Sequence, residues 1–241
     1  DGGEERERLP EPAGDLDPLA GVVGRGAVTD PASLILAVED EPSAALARRL
    51  VRTYRKDVVL SRVIVARGYG KLRVQAPSYN AASLHTPFFL LTDLDRARCA
   101  PGLVEEWLEG RPRDASFLFR VAVREVEAWL LADQAGIAKL LGIEAILVPT
   151  DVEGLQDPKR ALVDLARHSS IRDLRRGLVP AEGSTAKVGP SYVDLVAGFA
   201  EKRWNPERAR RAAPSLDAAI VALAGLGRGR RASRRQGRRS A

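Results

Sequence analysis

The sequence predicts an α/β fold, with a doubly wound, mainly parallel sheet of about four strands followed by a helical C-terminal lobe. Two observations lead to this prediction. Short apolar runs alternate with segments of helical periodicity as far as residue 123, which is the order expected for parallel strands joined by helices. Beyond residue 124, the apolar residues recur at helical spacing only.

The first strand-helix-strand unit occupies the N-terminal part of this fold. An apolar run at residues 33–39 ends in Glu39, and Pro42 follows where the first turn of a helix accepts proline. Residues 44–54 then have apolar positions at helical spacing. The valine- and isoleucine-rich run at residues 58–66 is predicted to be the second strand.

Gly68 and Gly70 follow the second strand and allow the backbone to turn tightly or to approach a ligand. A short helix that ends near residue 85 leads to a third strand, and a further helix is predicted at residues 100–109. The fourth strand is predicted at residues 116–123.

The third strand, at residues 88–95, is the centre of the prediction. Its four apolar residues precede Asp93 and Asp95, as in a buried parallel strand whose acids lie at its carboxyl end. Because residues i and i+2 of a strand point to the same side, the two aspartates are expected to face one ion together. Open α/β sheets bind ligands at the carboxyl ends of their strands, so Glu39 is expected to join them. A hard cation such as Mg²⁺ suits these acids.

A further acid pair, Glu125 and Glu127, follows the fourth strand. If the chain is still extended there, the two side chains share a side. If it is helical, they diverge by about 200° and only one can reach a metal. Glu127, just before Trp129, is the favoured ligand, and it decides between one metal ion and two.

Helix candidates cover the rest of the chain, and most of them open with Asp or Pro, as helix starts prefer. They lie at residues 126–133, 137–141, 157–168, 190–204 and 214–226. The predicted organisation is a disordered leader at residues 1–32, the α/β core at 33–132, a helical C-terminal region at 133–226 and an arginine-rich disordered tail at 227–241.

The pI near 9.8 resembles that of a nucleic-acid-binding protein, but the positive charge is unevenly distributed along the chain. Seven arginines after residue 224 exceed the formal net charge of +6, and the first 33 residues carry eight acids against three arginines. Residues 34–224 therefore carry about +4. A mildly basic body of this kind suits an acidic partner without requiring one.

The single cysteine, Cys99, fits a reducing compartment and is interpreted as a small loop residue rather than a nucleophile. The sequence contains no apolar run long enough to cross a membrane, so a soluble cytoplasmic protein is predicted. The lack of any methionine indicates that the chain is part of a longer translated product.

Several short motifs together support a family resemblance. Glu39 with its flanking residues, followed at a distance by Thr92-Asp93-Leu94-Asp95, resembles the TOPRIM fold of topoisomerases, primases and the overcoming-lysogenization-defect nucleases. More specifically, residues 34–225 resemble an uncharacterised bacterial TOPRIM-like domain family, often encoded beside an AAA-type ATPase. The motifs that carry this resemblance are Gly68-Tyr69-Gly70-Lys71, Thr92-Asp93-Leu94-Asp95, Val126-Glu127-Ala128-Trp129-Leu130-Leu131-Ala132-Asp133 and Gly189-Pro190-Ser191-Tyr192.

The resemblance implies roles for individual residues. Glu39 would be a general acid/base or metal ligand, and Asp93 and Asp95 would hold Mg²⁺ or Mn²⁺. The related nucleases add an acid pair after the next strand and a later lysine, which correspond here to Glu125, Glu127 and either Lys159 or Lys187. The sequence departs from the family at Asp40, where a glycine is usual, and at Ser43, where those nucleases place a second acid.

The predicted function is therefore Mg²⁺-dependent phosphoryl transfer, most simply a nuclease acting on DNA or RNA, in a bacterial defence or repair system with an AAA-type ATPase partner. Glu39 and Lys159 are the predicted catalytic residues, since phosphodiester hydrolysis needs water activation and a positive group near the leaving oxygen. The predicted nucleic-acid contacts are Lys71, Lys187, Arg230 and Arg231.

Two other classes of function remain open. In a receiver-like phosphoaspartate switch, Glu39 and Asp40 would bind Mg²⁺ and Asp93 would accept a phosphoryl group. Such a domain expects Ser or Thr after the fourth strand and a later Lys-Pro, and the sequence has neither. The other alternative is a non-catalytic TOPRIM-like subunit that recruits a partner through its helical lobe.

Overall fold

The computed structural model describes residues 32–226, which belong to one compact unit. The leader and tail predicted from the sequence, and with them Arg230 and Arg231, lie outside the described residues. The strands are β1 (Ala32–Val38), β2 (Val58–Val65), β3 (Phe88–Asp93) and β4 (Phe117–Ala122). The helices are α1 (Glu41–Tyr54), α2 (Tyr69–Ala82), α3 (Ala100–Trp107), α4 (Val126–Leu131), α5 (Gln134–Leu141), α6 (Pro158–Arg167), α7 (Arg172–Leu178), α8 (Tyr192–Lys202), α9 (Pro206–Ala209) and α10 (Pro214–Gly225), with a short 3-10 helix at Ala145–Leu147.

The four strands form one parallel sheet in the order β2-β1-β3-β4. Val38 of β1 pairs with Val65 on one side and with Leu91 on the other, so these strands end close to the same level. The predicted doubly wound, parallel α/β sheet followed by helices is confirmed. All carboxyl ends lie at one edge of this sheet, as parallel pairing requires.

The pleat of the sheet divides its side chains between two hydrophobic cores. Leu36 and Leu91 belong to the core that includes α1 and the helices after β4. Their sequence neighbours Ala37 and Leu90 belong to the core built with α2 and α3. Since successive residues of a strand point to opposite faces, helices cover both faces, and the strands consist of nearly continuous apolar runs.

Two local features set the chain at the carboxyl edge of the sheet. Asp40 caps α1, where its carboxylate accepts a hydrogen bond from the Ser43 backbone N–H at 2.9 Å, and Pro42 occupies the first turn. Gly68 precedes α2 with φ of 131°, a conformation that other residues rarely adopt. These features fix where α1 and α2 leave the sheet.

The helices after β4 pack on the same core as α1. Trp129, Phe199 and Trp204 are buried in it, and the Trp204 indole N–H donates to the Trp129 carbonyl at 3.1 Å. Helices before and after residue 132 thus share one core, and a domain boundary at that point stays a prediction. Between residues 32 and 226, none of the helices is long and apolar enough to cross a membrane.

Candidate active site

Acids that follow three strands lie together at the carboxyl edge of the sheet. Glu39 directly follows β1, Asp93 is the last residue of β3, and Glu125 is the residue before α4, shortly after β4. Burial raises the pKa of Asp93 well above its ordinary value, and repulsion by Glu127 and Glu39 raises it further. The Asp93 Oδ1 atom accepts a hydrogen bond from the backbone N–H of Val126 at 2.9 Å, which joins the end of β3 to the start of α4.

Glu39 has an incompletely satisfied carboxylate. Burial raises its pKa, and the negative charges of Asp40 and Asp95 raise it further, while Lys159 and the backbone N–H of Tyr69 act in the opposite direction. Its Oε2 atom is buried and has no hydrogen-bond partner. Such an oxygen is available to bind a cation or to accept a proton.

The backbone at Asp95 is not the extended strand that the sequence predicts. Strand β3 ends at Asp93, and Asp95 lies in a turn with φ of 49°, where its N–H donates to the carbonyl of Arg124 at 2.9 Å. The alternation of an extended strand therefore does not apply to the two aspartates. Asp95 is exposed, yet it is close enough to raise the pKa of both Glu39 and Glu125.

Glu125 and Glu127 occupy different backbone conformations, yet both face the same lysine. Glu125 is extended, with φ of −143° and ψ of 158°, and Glu127 lies in the first turn of α4. Glu127 is 1 % exposed, and burial raises its pKa to about 7. Its Oε1 atom accepts a hydrogen bond from the Tyr192 hydroxyl at 2.9 Å, whereas its Oε2 atom is buried without a partner.

Lys159 lies among these acids. It belongs to the first turn of α6, after Pro158, and its backbone N–H donates to Glu125 Oε2 at 2.9 Å. Its ammonium group is 3.6 Å from Glu127 Oε1. Burial lowers the pKa of Lys159, but the attraction of Glu127, Glu125 and Asp93 outweighs burial, so that its pKa is raised and the residue stays charged.

Asp40 and Ser43, where the sequence departs from the family, bond to each other. Both the backbone N–H and the hydroxyl of Ser43 donate to Asp40 Oδ1, at 2.9 and 2.6 Å. Asp40 thus serves as a helix cap, and its charge also raises the pKa of Glu39 and Asp93. The charge of Asp40 thus adds to the acidic edge, although the predicted TOPRIM-type ligand set does not include this residue.

Tyr192 contacts Glu127, a role that the sequence analysis did not predict for it. Its hydroxyl is the only side-chain hydrogen-bond partner of Glu127 among residues 32–226, across 65 positions of the chain. Burial raises the pKa of Tyr192, and the nearby Glu127 raises it further, so the phenol remains a donor. The Gly189-Pro190-Ser191-Tyr192 motif was the available signal, although nothing in the sequence links it to Glu127.

The predicted nucleic-acid contacts are dispersed. Lys187 lines a cavity of about 730 Å³ together with Glu125 and Lys159. Lys71 lies on α2, is exposed, and is not part of that cavity. Of the two lysines considered for the catalytic role, only Lys159 contacts the acids in the part of the chain that the structure describes.

The donor chemistry of this edge fits a hard divalent cation. Its candidate ligands are carboxylate oxygens, the ligands that Mg²⁺ and Mn²⁺ prefer. Glu39 Oε2 and Glu127 Oε2, both buried and unpaired, are suitable cation donors. Within residues 32–226, however, no three His, Cys, Asp or Glu side chains lie close enough together to form a ready coordination group. Hydrogen bonds to Val126, Lys159 and Tyr192, together with the Lys159 ammonium, hold these acids in place.

No protein-family model matches the chain, and no curated protein matches it in sequence. Among solved structures, it is similar to the C-terminal region of the Burkholderia pseudomallei OLD protein, with a TM-score of 0.38 and 16 % sequence identity. The match covers 78 % of this chain and 98 % of that chain. Membership of the TOPRIM family stays a prediction.

Proposed function

We propose that the chain is a metal-dependent phosphoryl-transfer enzyme of TOPRIM type, a nuclease acting on DNA or RNA. The observation that supports this proposal is the crowding of carboxylates at the sheet edge. Lys159 is the only lysine or arginine within salt-bridge distance of Glu127 in the described chain, and it cannot neutralise the whole acidic edge. Carboxylates desolvated in this way stabilise a divalent cation strongly, because the ion removes their mutual repulsion.

The five acids Glu39, Asp93, Asp95, Glu125 and Glu127 are the proposed ligands for Mg²⁺ or Mn²⁺. When bound, the ion would neutralise the charge that develops on the phosphate and would lower the pKa of water. Because the described acids do not form a ready coordination group, ligand side chains must change rotamer when the ion binds.

Glu39 and Lys159 have distinct proposed roles in the reaction. The carboxylate oxygen of Glu39 that does not bind the ion accepts a proton from the attacking water, and the raised pKa of Glu39 suits a general base better than the pKa of an ordinary glutamate would. The ammonium of Lys159, held near the acids by its backbone hydrogen bond to Glu125, stabilises negative charge on the phosphate or on the leaving oxygen. Tyr192 keeps Glu127 in position through its hydroxyl.

The proposed setting follows from the same resemblance. A nuclease of this type would act on nucleic acid in the cytoplasm, in a bacterial defence or repair system together with an AAA-type ATPase. The single exposed cysteine, Cys99, is compatible with a reducing compartment.

Nicking of supercoiled plasmid DNA tests this proposal. We expect wild-type protein with Mg²⁺ or Mn²⁺, alone or with the ATPase, to convert the plasmid to open circles, and Asp93→Asn to lower the rate by about a hundredfold or more because a charged ligand is lost. Glu106→Gln is the matched control, since Glu106 is an exposed carboxylate of α3 that pairs with Arg73 outside the cavity of Glu125 and Lys159.

Nicking that survives Asp93→Asn, in protein with unchanged circular dichroism, would remove the assignment. If the wild type shows no activity with either metal or with the ATPase, the non-catalytic alternative gains support. Labelling of Asp93 by acetyl phosphate would instead support the receiver-like alternative.

A further inference from the structure

A second cavity adjoins the one that contains Glu125 and Lys159. The first cavity, of about 730 Å³, extends along α6 to Lys187. The second, of about 500 Å³, lies beyond it and is lined by Arg167, Arg175, Arg176 and a few apolar residues. Because Arg167, Pro180 and Ala181 line both cavities, the two form one continuous groove that starts at the candidate active site.

The two parts of this groove differ in charge. The first part carries both signs, with the cationic side chains of Lys159, Arg160, Arg167 and Lys187 and the acidic side chains of Glu125, Asp157, Asp164 and Glu182. The second part is lined by three arginines and by no described acid. Its remaining lining consists of Val179, Pro180, Ala181 and Pro190.

Few internal partners compete for these arginines. Arg176 has no acidic partner among residues 32–226, and Arg175 donates only to the carbonyl of Ser169, at 2.9 Å. Arg167 lies 3.3 Å from Asp164, in a pair whose side chains are both 53 % exposed. Such an exposed pair contributes little to the stability of the fold, so Arg167 can exchange Asp164 for another anion at little cost.

The lining favours a polynucleotide strand as the occupant. Arginine donors match phosphate oxygens, and regularly spaced phosphates can engage several arginines along one groove. The apolar residues Val179, Pro180 and Pro190 offer a surface for sugars and for the faces of bases. A groove that begins at Lys159 lies where a strand that leaves a phosphodiester site would run.

We propose that Arg167, Arg175 and Arg176 bind the phosphates that flank the scissile one, so that the substrate is a polynucleotide strand and not a free nucleotide. The position of the scissile phosphate near Lys159 rests on the proposed function. The affinity of the three arginines for a strand does not depend on the proposed function.

The test combines a binding assay and a small substrate. In EDTA, fluorescence anisotropy with single-stranded DNA is measured over a range of NaCl concentrations for wild type and for the double variant Arg175→Ala, Arg176→Ala. We expect the variant to bind about tenfold more weakly and the slope of log Kd against log[NaCl] to fall by about 1 to 1.5, because two phosphate contacts are lost. Turnover of bis(p-nitrophenyl) phosphate with Mn²⁺ should be unchanged, since this small diester does not reach the arginines.

The matched control is the double variant Arg73→Ala, Arg111→Ala. It removes the same charge from exposed ion pairs with Glu106 and Glu109, outside both cavities. An equal loss of affinity in the two double variants would overturn the inference, because net charge alone would explain it. Tighter binding of polyglutamate than of DNA would also overturn it, in favour of an acidic protein partner.

Failure of the proposed function has a different result. In that case the wild type neither turns over the small diester nor nicks DNA with any metal, but the arginine variant still loses affinity and salt dependence relative to its control. The groove is then a strand-binding surface of a non-catalytic protein. The inference then stands while the proposed enzyme does not.

Discussion

The Tyr192 hydroxyl donates a hydrogen bond to Glu127 Oε1 over 2.9 Å. This contact joins the first residue of α8 to the first turn of α4. The carboxylate of Glu127 is buried, so the phenol decides which of its oxygens remains free. A helix late in the chain therefore orients an acid at the sheet edge.

Removing that hydroxyl should impair the site more than the fold. We expect Tyr192→Phe to lower nuclease activity about tenfold and to cost about 1 to 2 kcal/mol of unfolding free energy, since a buried carboxylate loses a donor. Plasmid nicking and urea unfolding measure the two effects. Tyr79→Phe, on α2 at the other face of the sheet, is the control and should leave nicking unchanged. Unaltered nicking by Tyr192→Phe would show that the contact does not position Glu127 for catalysis.

Lys159 should affect the rate strongly. We expect Lys159→Met to lower nicking by about 10² to 10³, because in the proposed mechanism its ammonium stabilises the charge that develops in the transition state. Lys187→Met is the comparison, since Lys187 lines the same cavity without contacting the described acids, and it should lower the rate less than about tenfold. Equal losses in the two variants would assign both lysines to substrate binding.

The buried Glu127 should make the stability of the metal-free protein depend on pH. Its pKa is raised from 4.5 to about 7 in the folded state, so the folded protein holds a proton that the unfolded chain releases. The contribution of this proton to the free energy of unfolding is therefore fully present below about pH 4.5. It is lost as the pH rises through about 7, and the loss is at most about 3 kcal/mol. Urea unfolding in EDTA at about pH 5 and about pH 8 should show this loss in wild type and less of it in Glu127→Gln. A loss of equal size in the variant would contradict the assignment to Glu127.

Asp133 should be a structural acid. Its side chain is 0 % exposed, and it accepts hydrogen bonds from Gly136 N–H, from Asn205 N–H and from two nitrogens of Arg208, at 2.6 to 3.1 Å. Asp133→Ala leaves these donors unpaired and should cost about 3 to 5 kcal/mol of unfolding free energy.

The control for this prediction is Asp164→Ala, an exposed pair member whose loss should cost about 0.5 kcal/mol or less. Both variants are measured by urea unfolding at neutral pH. If Asp133→Ala unfolds at the urea concentration of the wild type, the four hydrogen bonds do not hold the start of α5 to α9.

The sheet and its acidic edge could be predicted because they depend on local patterns. The apolar run before Asp93 and the one before Glu39 define parallel strands, and parallel pairing brings strand ends together. The turn at Asp95 could not be predicted, because it depends on a hydrogen bond to the carbonyl of Arg124 in another segment. The contact between Tyr192 and Glu127 depends on tertiary packing in the same way.

The choice between Lys159 and Lys187 also needed the tertiary structure. Both lysines lie in the helical half of the sequence, where spacing gives no distance to the sheet. The backbone hydrogen bond from Lys159 to Glu125 fixes the start of α6 against the residue that precedes α4, and no sequence pattern encodes that contact. The cap between Asp40 and Ser43, by contrast, could be predicted, because its spacing of three residues is visible in the sequence.

The ammonium of Lys159 gives the sheet edge an internal counter-ion. The backbone N–H of the same residue holds the start of α6 to Glu125. Together with the two apolar cores that fix the surrounding helices, this cation offsets part of the repulsion among the packed acids. In a nuclease built this way, removal of the divalent ion would stop the reaction without unfolding the protein.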